Sequence, residues 1–155
     1  MISPETLRRF PIFGIFTDTQ LKQLAMITNQ LSLEEGIILF NQNEKADALY
    51  FLIDGNIDLF QSVQEETRPE KKKEYLVGEV NPGELFGIST VIEPNIFSAG
   101  AKAHLSSKIL KINGIELRSL MDADPLLAKN VLHQTAKQLL QRLNLNRTQL
   151  AAAML

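Results

Sequence analysis

The chain has no cysteine, no tryptophan and only two histidines. Without cysteine there is no disulfide scaffold, thiol nucleophile, iron–sulfur ligation or cysteine-bound zinc. A cysteine-free chain fits a reducing compartment, so a cytoplasmic location is the expectation. His104 and His133 are the whole imidazole supply, too few for a histidine-rich metal site or for most histidine acid–base chemistry. No apolar run approaches 18 residues, so no membrane-spanning helix is expected. Met1 to Arg9 carries two arginines with no apolar stretch before Pro11, which is not a secretory signal. An excess of either charge is missing as well. Sixteen basic and eighteen acidic residues give a net −2, against the basic surface a general nucleic-acid binder needs to displace counterions from phosphates.

What is present is an ordinary globular composition, 45% apolar and 22% charged over 155 residues. That length makes one domain, or one domain with an appendage, and buries a core without covalent staples. Near the start, Thr17 and Gln20 have capping-box spacing, with Phe16 and Leu21 placed for a hydrophobic staple. Leu21, Leu24, Ala25 and Ile27 or Thr28 then follow helical spacing. The preceding apolar segment, Phe10 to Phe16, is broken by Pro11 and Gly14 and reads as irregular chain packed on the core.

From Leu31 to about Ile112, short β-prone runs alternate with glycine turns. Ile37–Phe40 and Leu49–Ile53 read as buried strands; Ile57–Phe60, Tyr75–Val77 and Lys108–Ile112 add further ones. Many short strands at this spacing predict a sandwich, barrel or jelly roll. Gln64 to Lys73 is a charged stretch in which Glu65, Glu66 and Glu70 offset Lys71 to Lys73; it reads as a solvated hairpin loop rather than a basic contact patch. After Ile112 the period is helical again. Asn113 and Glu116 repeat the cap spacing, and Asp124-Pro125 reads as an N-cap followed by proline at the first position of a long helix to Leu145 or beyond.

Two stretches carry a specific resemblance. The first runs from Gly36 through Ile38-Leu39-Phe40, Asn43-Glu44, Ala46-Asp47 and Leu49-Tyr50-Phe51-Leu52-Ile53-Asp54-Gly55; the second is Val80-x-Pro82-Gly83-Glu84-Leu85-Phe86-Gly87, followed by Phe97-Ser98-Ala99-Gly100-Ala101-Lys102-Ala103. Together they resemble the cyclic nucleotide-binding domains of bacterial regulators, protein kinase regulatory subunits and nucleotide-gated channels. Asn43 stands where the family usually has glycine, and asparagine tolerates the left-handed backbone glycine would supply. The resemblance implies a mainly β protein with flanking helices, a jelly roll (a double-stranded β-helix) with an N-terminal helix and a long C-terminal helix. Residues 1–124 would form the sensor domain and residues 125–155 the dimerisation or lid helix.

The second stretch resembles the family's phosphate-binding cassette and implies a ligand site at Phe86, Gly87, Ile88, Ser89, Phe97, Ser98 and Ala99. In such a cassette, amides of a turn and helix start face a cyclic phosphate, an arginine adds charge and a fork of donors, and a glutamate accepts from the ribose hydroxyl. Here Ile88 stands in the glutamate's place and Phe97 in the arginine's. Hydrogen bonds to charged groups contribute roughly 1.5–3 kcal/mol each, so losing both residues would cost about 4 kcal/mol or more, near a thousandfold in affinity. Conventional binding of cyclic AMP or cyclic GMP is therefore not expected. Lys102 and Lys108 are the nearby cations in sequence, and Thr90 replaces a usually small residue, which implies altered packing of the cassette turn. Two readings of Ile88 and Phe97 stand side by side: a pocket retuned for an apolar or aromatic ligand, or a pocket filled by its own side chains.

Leu132, Ala136, Leu139, Leu143, Asn146 and Leu150 are spaced 4, 3, 4, 3, 4 along the last helix, a heptad seam with one polar position that suits a homodimer. Relatives pair through this helix and close it over the ligand, so Gln141 and Arg142 are further candidates for ligand contact. The function expected is a regulatory, ligand-sensing module in signal transduction, without enzymatic activity, resident cofactor, metal or membrane association. Its effector would be a cyclic nucleotide or another small molecule, and a protein partner would read its output. The chain stops at Leu155, with no room for a DNA-binding domain after the long helix, so a sensor fragment of a transcription regulator is one alternative. A ligand-free structural, dimerisation or docking module is the other.

Overall fold

The computed structural model describes residues 1–64, 66–68 and 70–155. Two four-stranded antiparallel sheets form a jelly roll between helices at both chain ends. The N-terminal part holds α1 (Pro4–Arg8), a 3-10 turn (Pro11–Phe13) and α2 (Asp18–Met26). Eight strands follow: β1 (Thr28–Leu33), β2 (Ile38–Phe40), β3 (Ala48–Asp54), β4 (Ile57–Gln64), β5 (Lys72–Val80), β6 (Leu85–Phe86), β7 (Gly100–Ala103) and β8 (Ser107–Asn113). The chain closes with α3 (Gly114–Ala123) and α4 (Pro125–Ala153). One sheet has the order β1-β8-β3-β6 and the other β2-β7-β4-β5.

Local signals set the helix starts. The Thr17 hydroxyl accepts from the Gln20 amide at 3.2 Å, and the Gln20 side chain accepts from the Thr17 amide at 3.0 Å, a complete capping box. Asn113 Oδ1 accepts from the Glu116 amide at 3.0 Å. Asp124 Oδ1 accepts from the Leu126 and Leu127 amides, with Pro125 at the first helical position. α1 has a proline at its head but no side-chain cap. Its five residues are too few to show a helical period in the sequence.

The first sheet is covered on both faces. Leu49 and Phe51 of β3 and Leu110 and Ile112 of β8 pack towards the helices, against Phe13, Leu24, Leu117, Leu127 and Val131. Ala48, Tyr50 and Leu52 alternate into the space between the sheets, with Phe40, Ile57, Phe86, Phe97 and Ile109. Coverage on both faces explains why Leu49 to Leu52 is an unbroken apolar run. The second sheet is covered on one face only. Ile37 and Ile38, read as part of a buried strand, are 46% and 52% exposed, because β2 sits at this sheet's edge. Tyr75 and Leu76 of the other edge strand, β5, are exposed as well. The charged stretch is the β4–β5 hairpin end, but Lys72 and Lys73 pair with Gln64 and Val63 in the strands rather than lying in the loop. Glu65 and Pro69 of that stretch lie outside the described residues.

α4 reverses the usual amphipathic logic. Its face towards the body buries Leu127 and Val131 but also Asn130, Gln134, Thr135 and Gln138. Each of these amides finds a partner, as buried polar groups must. Asn130 donates to Gln20 Oε1 at 3.3 Å, and Gln134 donates to the Ile12 backbone carbonyl. Leu126, next to the buried Leu127, is half exposed. The heptad seam is exposed: Leu132, Leu139, Leu143 and Leu150 are each at least 40% exposed, and Ala136 and Asn146 are exposed beside them.

Candidate functional site: a cleft beneath the last helix

A cleft of about 580 Å³ opens between the cassette, β4–β5 and α4, within the size range of small-molecule sites, roughly 300–1,000 Å³. The cassette side begins at Gly87, whose backbone is left-handed with φ 71°. A Cβ there would lie 2.9 Å from Tyr50 Cδ2 and 3.0 Å from the Ala48 carbonyl oxygen, so glycine is required by both conformation and space. The chain then makes a 3-10 turn, Ile88–Val91. Thr90 anchors this turn by donating from Oγ1 to the Ala48 carbonyl at 2.7 Å. Its bulk is accommodated at Gly114, where a Cβ would come within 2.5 Å of Thr90 Cγ2. Asn95 gathers the carbonyls of Ser89, Thr90 and Ile92 through Nδ2 at 3.0–3.1 Å. From α3, Arg118 donates to the carbonyls of Ala46 and Thr90.

Six of the seven residues placed at this site by resemblance line the cleft together: Gly87, Ile88, Ser89, Phe97, Ser98 and Ala99. Phe86 does not line it. It is fully buried beneath the wall, its ring 5.1 Å from that of Tyr50, because its β6 position points between the sheets. Ile88 is 7% exposed and belongs to the helix-side core. Phe97 is 4% exposed and stacks on Phe40 with centroids 3.7 Å apart and planes 15° apart. The stack continues through Tyr50, 5.7 Å from Phe40, to Phe86. Burial, and secondarily the charge of Glu44, raise the Tyr50 phenol above its ordinary pKa.

The loop carrying Phe97 is held on both sides. Its amide donates to the Glu44 carbonyl at 2.9 Å, and its carbonyl accepts from the Asn43 amide at 2.8 Å. Asn43 is left-handed with φ 71°, as its glycine-like place in the sequence predicts. Gln61 Nε2 donates to the Ser98 carbonyl at 3.0 Å. The Phe97 amide is thus occupied by the protein itself.

The remaining wall is α4, which contributes Leu139, Arg142, Leu143, Leu145 and Asn146. Neither Lys102 nor Lys108 lines the cleft; among the described residues its cation is Arg142. Sequence left the register of this helix undetermined, and the structure puts Arg142 inward and Gln141 on the exposed side. Arg142 Nη2 donates to the Leu85 carbonyl, while the Leu85 amide donates to Gln138 Oε1 at 3.0 Å. Gln138 Nε2 also donates to Glu84 Oε2 at 3.2 Å. Two side chains one helical turn apart thus clamp the backbone of a single residue of the edge strand β6, immediately before the cassette turn. Burial pushes the Arg142 guanidinium below its ordinary pKa, opposed by the charge of Glu84. Nε of Arg142 is buried and meets no acceptor among the described residues.

The histidines stand apart from the cleft. His104 pairs with Asp58 at 3.0 Å, and His133 is exposed on α4. No group of three metal-ligating side chains occurs among the described residues, and no helix there is long and apolar enough to cross a membrane.

Comparison with known proteins agrees with this architecture. The family model for the cyclic nucleotide-binding domain matches residues 30–124. A "Putative Cyclic nucleotide-binding protein" from Geobacter metallireducens is 33% identical, with a TM-score of 0.79 over 92% of this chain and 99% of that one. The N-terminal domain of a transcriptional regulator from Streptomyces coelicolor is 25% identical, with a TM-score of 0.64 over 87% of this chain and 92% of that one. Among curated proteins, a "Putative potassium channel protein" of Rhodopseudomonas palustris is 26% identical over 79% of this chain, which spans only 28% of that protein's length. The matched residues build nearly all of the jelly roll, the cassette turn and the strand side of the cleft, and the chain belongs to the cyclic nucleotide-binding domain family.

Proposed function

We propose that this protein is a non-enzymatic regulatory module in which occupancy of the cleft is read by α4. The observation that carries the reading is the double role of that helix. It forms one wall of the cleft through Leu139, Arg142 and Leu143, and it grips the strand entering the cassette through Gln138 and Arg142. A ligand touching α4 differently in two helix positions would bias the equilibrium between them, which is the thermodynamic requirement for a sensor. The polar docking face favours such movement, since water can replace its hydrogen bonds when the helix shifts. The exposed leucine seam, whose Leu139, Leu143 and Asn146 also border the cleft, supports pairing with a second copy in a homodimer. Conventional cyclic nucleotide recognition is not part of the proposal, because the places of the phosphate arginine and ribose glutamate are Phe97 and Ile88.

The test is a double variant, Ile88→Glu with Phe97→Arg, titrated with cyclic AMP. The variant should gain affinity over the parent, and binding should change amide hydrogen exchange along residues 138–150. A well-folded variant that binds no nucleotide, or binds it with no change in that helix, would contradict the proposal. The stack of Phe97 on Phe40 favours a second reading, a docking module whose cleft is partly filled by its own side chain. This reading predicts dimerisation with no small-molecule response.

A further inference from the structure

We infer that Arg142 is the anion receptor of this cleft and that its effector is an organic monocarboxylate with an apolar alkyl or aryl body. The inference rests on the ligand-sensing reading above and names its ligand class.

The cassette cannot supply the charge. Phe97 holds the arginine's place and is stacked into the core, and its amide is bonded to Glu44. Charge reaches the cleft from the opposite wall, on α4. Its apolar neighbours in the lining are Phe40, Leu59, Ile92, Leu139 and Leu143, and the neutral polar side chains there are Gln61, Ser89, Ser98 and Asn146. Glu79 also lines the cleft but is exposed on β5. A single desolvated guanidinium among alkyl and aryl groups selects one anionic head and a hydrophobic body. A carboxylate suits it because two parallel N–H donors match two oxygens.

Occupancy has a consequence for the helix. The guanidinium already donates to the Leu85 carbonyl, and its Nε has no acceptor. A carboxylate that draws Nε into a two-point contact competes with Leu85 for the same group. Binding therefore alters one of the two bonds by which α4 grips β6, and Gln138 retains the other.

Calorimetry of the full chain with decanoate and 2-naphthoate, beside decan-1-ol and 2-naphthalenemethanol, tests this. The carboxylates should bind one per chain and at least about tenfold tighter than the alcohols, in keeping with a charge-assisted contact. Arg142→Met should abolish that preference, Arg142→Lys should keep part of it, and Lys102→Met, off the cleft, should leave it unchanged. Circular dichroism establishes that each variant is folded. Equal binding of acid and alcohol, or a preference that survives Arg142→Met, overturns the assignment of Arg142 while leaving a ligand-sensing cleft. Absence of binding by all four compounds also overturns the ligand class, and the nucleotide response of the Ile88→Glu/Phe97→Arg variant then judges the sensor reading separately.

Discussion

Phe97→Ala measures whether the residue in the arginine's place is core or ligand surface. Truncating a buried phenylalanine costs roughly 3–5 kcal/mol, and a stacked aromatic pair contributes about 0.5–1.5 kcal/mol within such totals. Phe97 is 4% exposed and lies against Phe40 at 3.7 Å, which argues for the full range. It also borders an open cleft, so water can enter the space it vacates and no sealed void remains. The cost should then fall near the lower end, about 2–3 kcal/mol. At about 2–4 °C per kcal/mol for a domain of this size, the melting temperature drops by roughly 5–10 °C. Urea unfolding followed by circular dichroism, at fixed protein concentration, reads the change as a lower midpoint with an unchanged slope. Phe97→Leu should lie between the parent and the alanine variant. A loss below about 0.5 kcal/mol, the level of an ordinary surface substitution, would refute the reasoning and return Phe97 to the cleft as a mobile ligand contact.

Two further outcomes follow from the same packing. The Tyr50 phenol is raised by burial and by Glu44, so above pH about 10 the unfolded chain ionises there while the folded chain does not. Stability is therefore lost as pH climbs past that value, and Tyr50→Phe should flatten the loss in chemical unfolding at pH 9 to 11; an identical slope would contradict it. Leu132→Glu with Leu150→Glu places charge on the outward seam without touching the cleft lining, and light scattering at tens of micromolar should show the parent as a dimer and the variant as a monomer. A monomeric parent would remove the role proposed for the seam.

The residues that made the fold legible are those whose local chemistry acts on their own backbone. Thr17, Gln20, Asn113 and Asp124 cap helices where their spacing indicates, and Asn43 adopts the glycine-like conformation its place demands. Ile37 and Ile38 misled because apolar character alone does not distinguish a covered strand from an edge strand. Phe86 misled for a related reason: alternation along β6 turns its side chain between the sheets and away from the cleft. The contact least accessible to sequence is the clamp on Leu85. The resemblance offers Arg142 as a candidate for ligand contact, but nothing in the sequence points it or Gln138 to the Leu85 backbone, since polar side chains are mostly exposed. Their burial arises because the edge of β6 presents an unpaired peptide that only a side chain can satisfy. The one available signal was their i, i+4 spacing, which puts them on one face of the helix beside the leucine seam.

The central claim is that this member of the family has moved its ligand chemistry away from the cyclic phosphate. Calorimetry of the unmodified protein with cyclic AMP tests it most directly. A thousandfold loss from micromolar affinity leaves a dissociation constant near or above about 1 mM, so the account predicts no saturable heat at micromolar protein. Saturable one-to-one binding of cyclic AMP with micromolar affinity would contradict it.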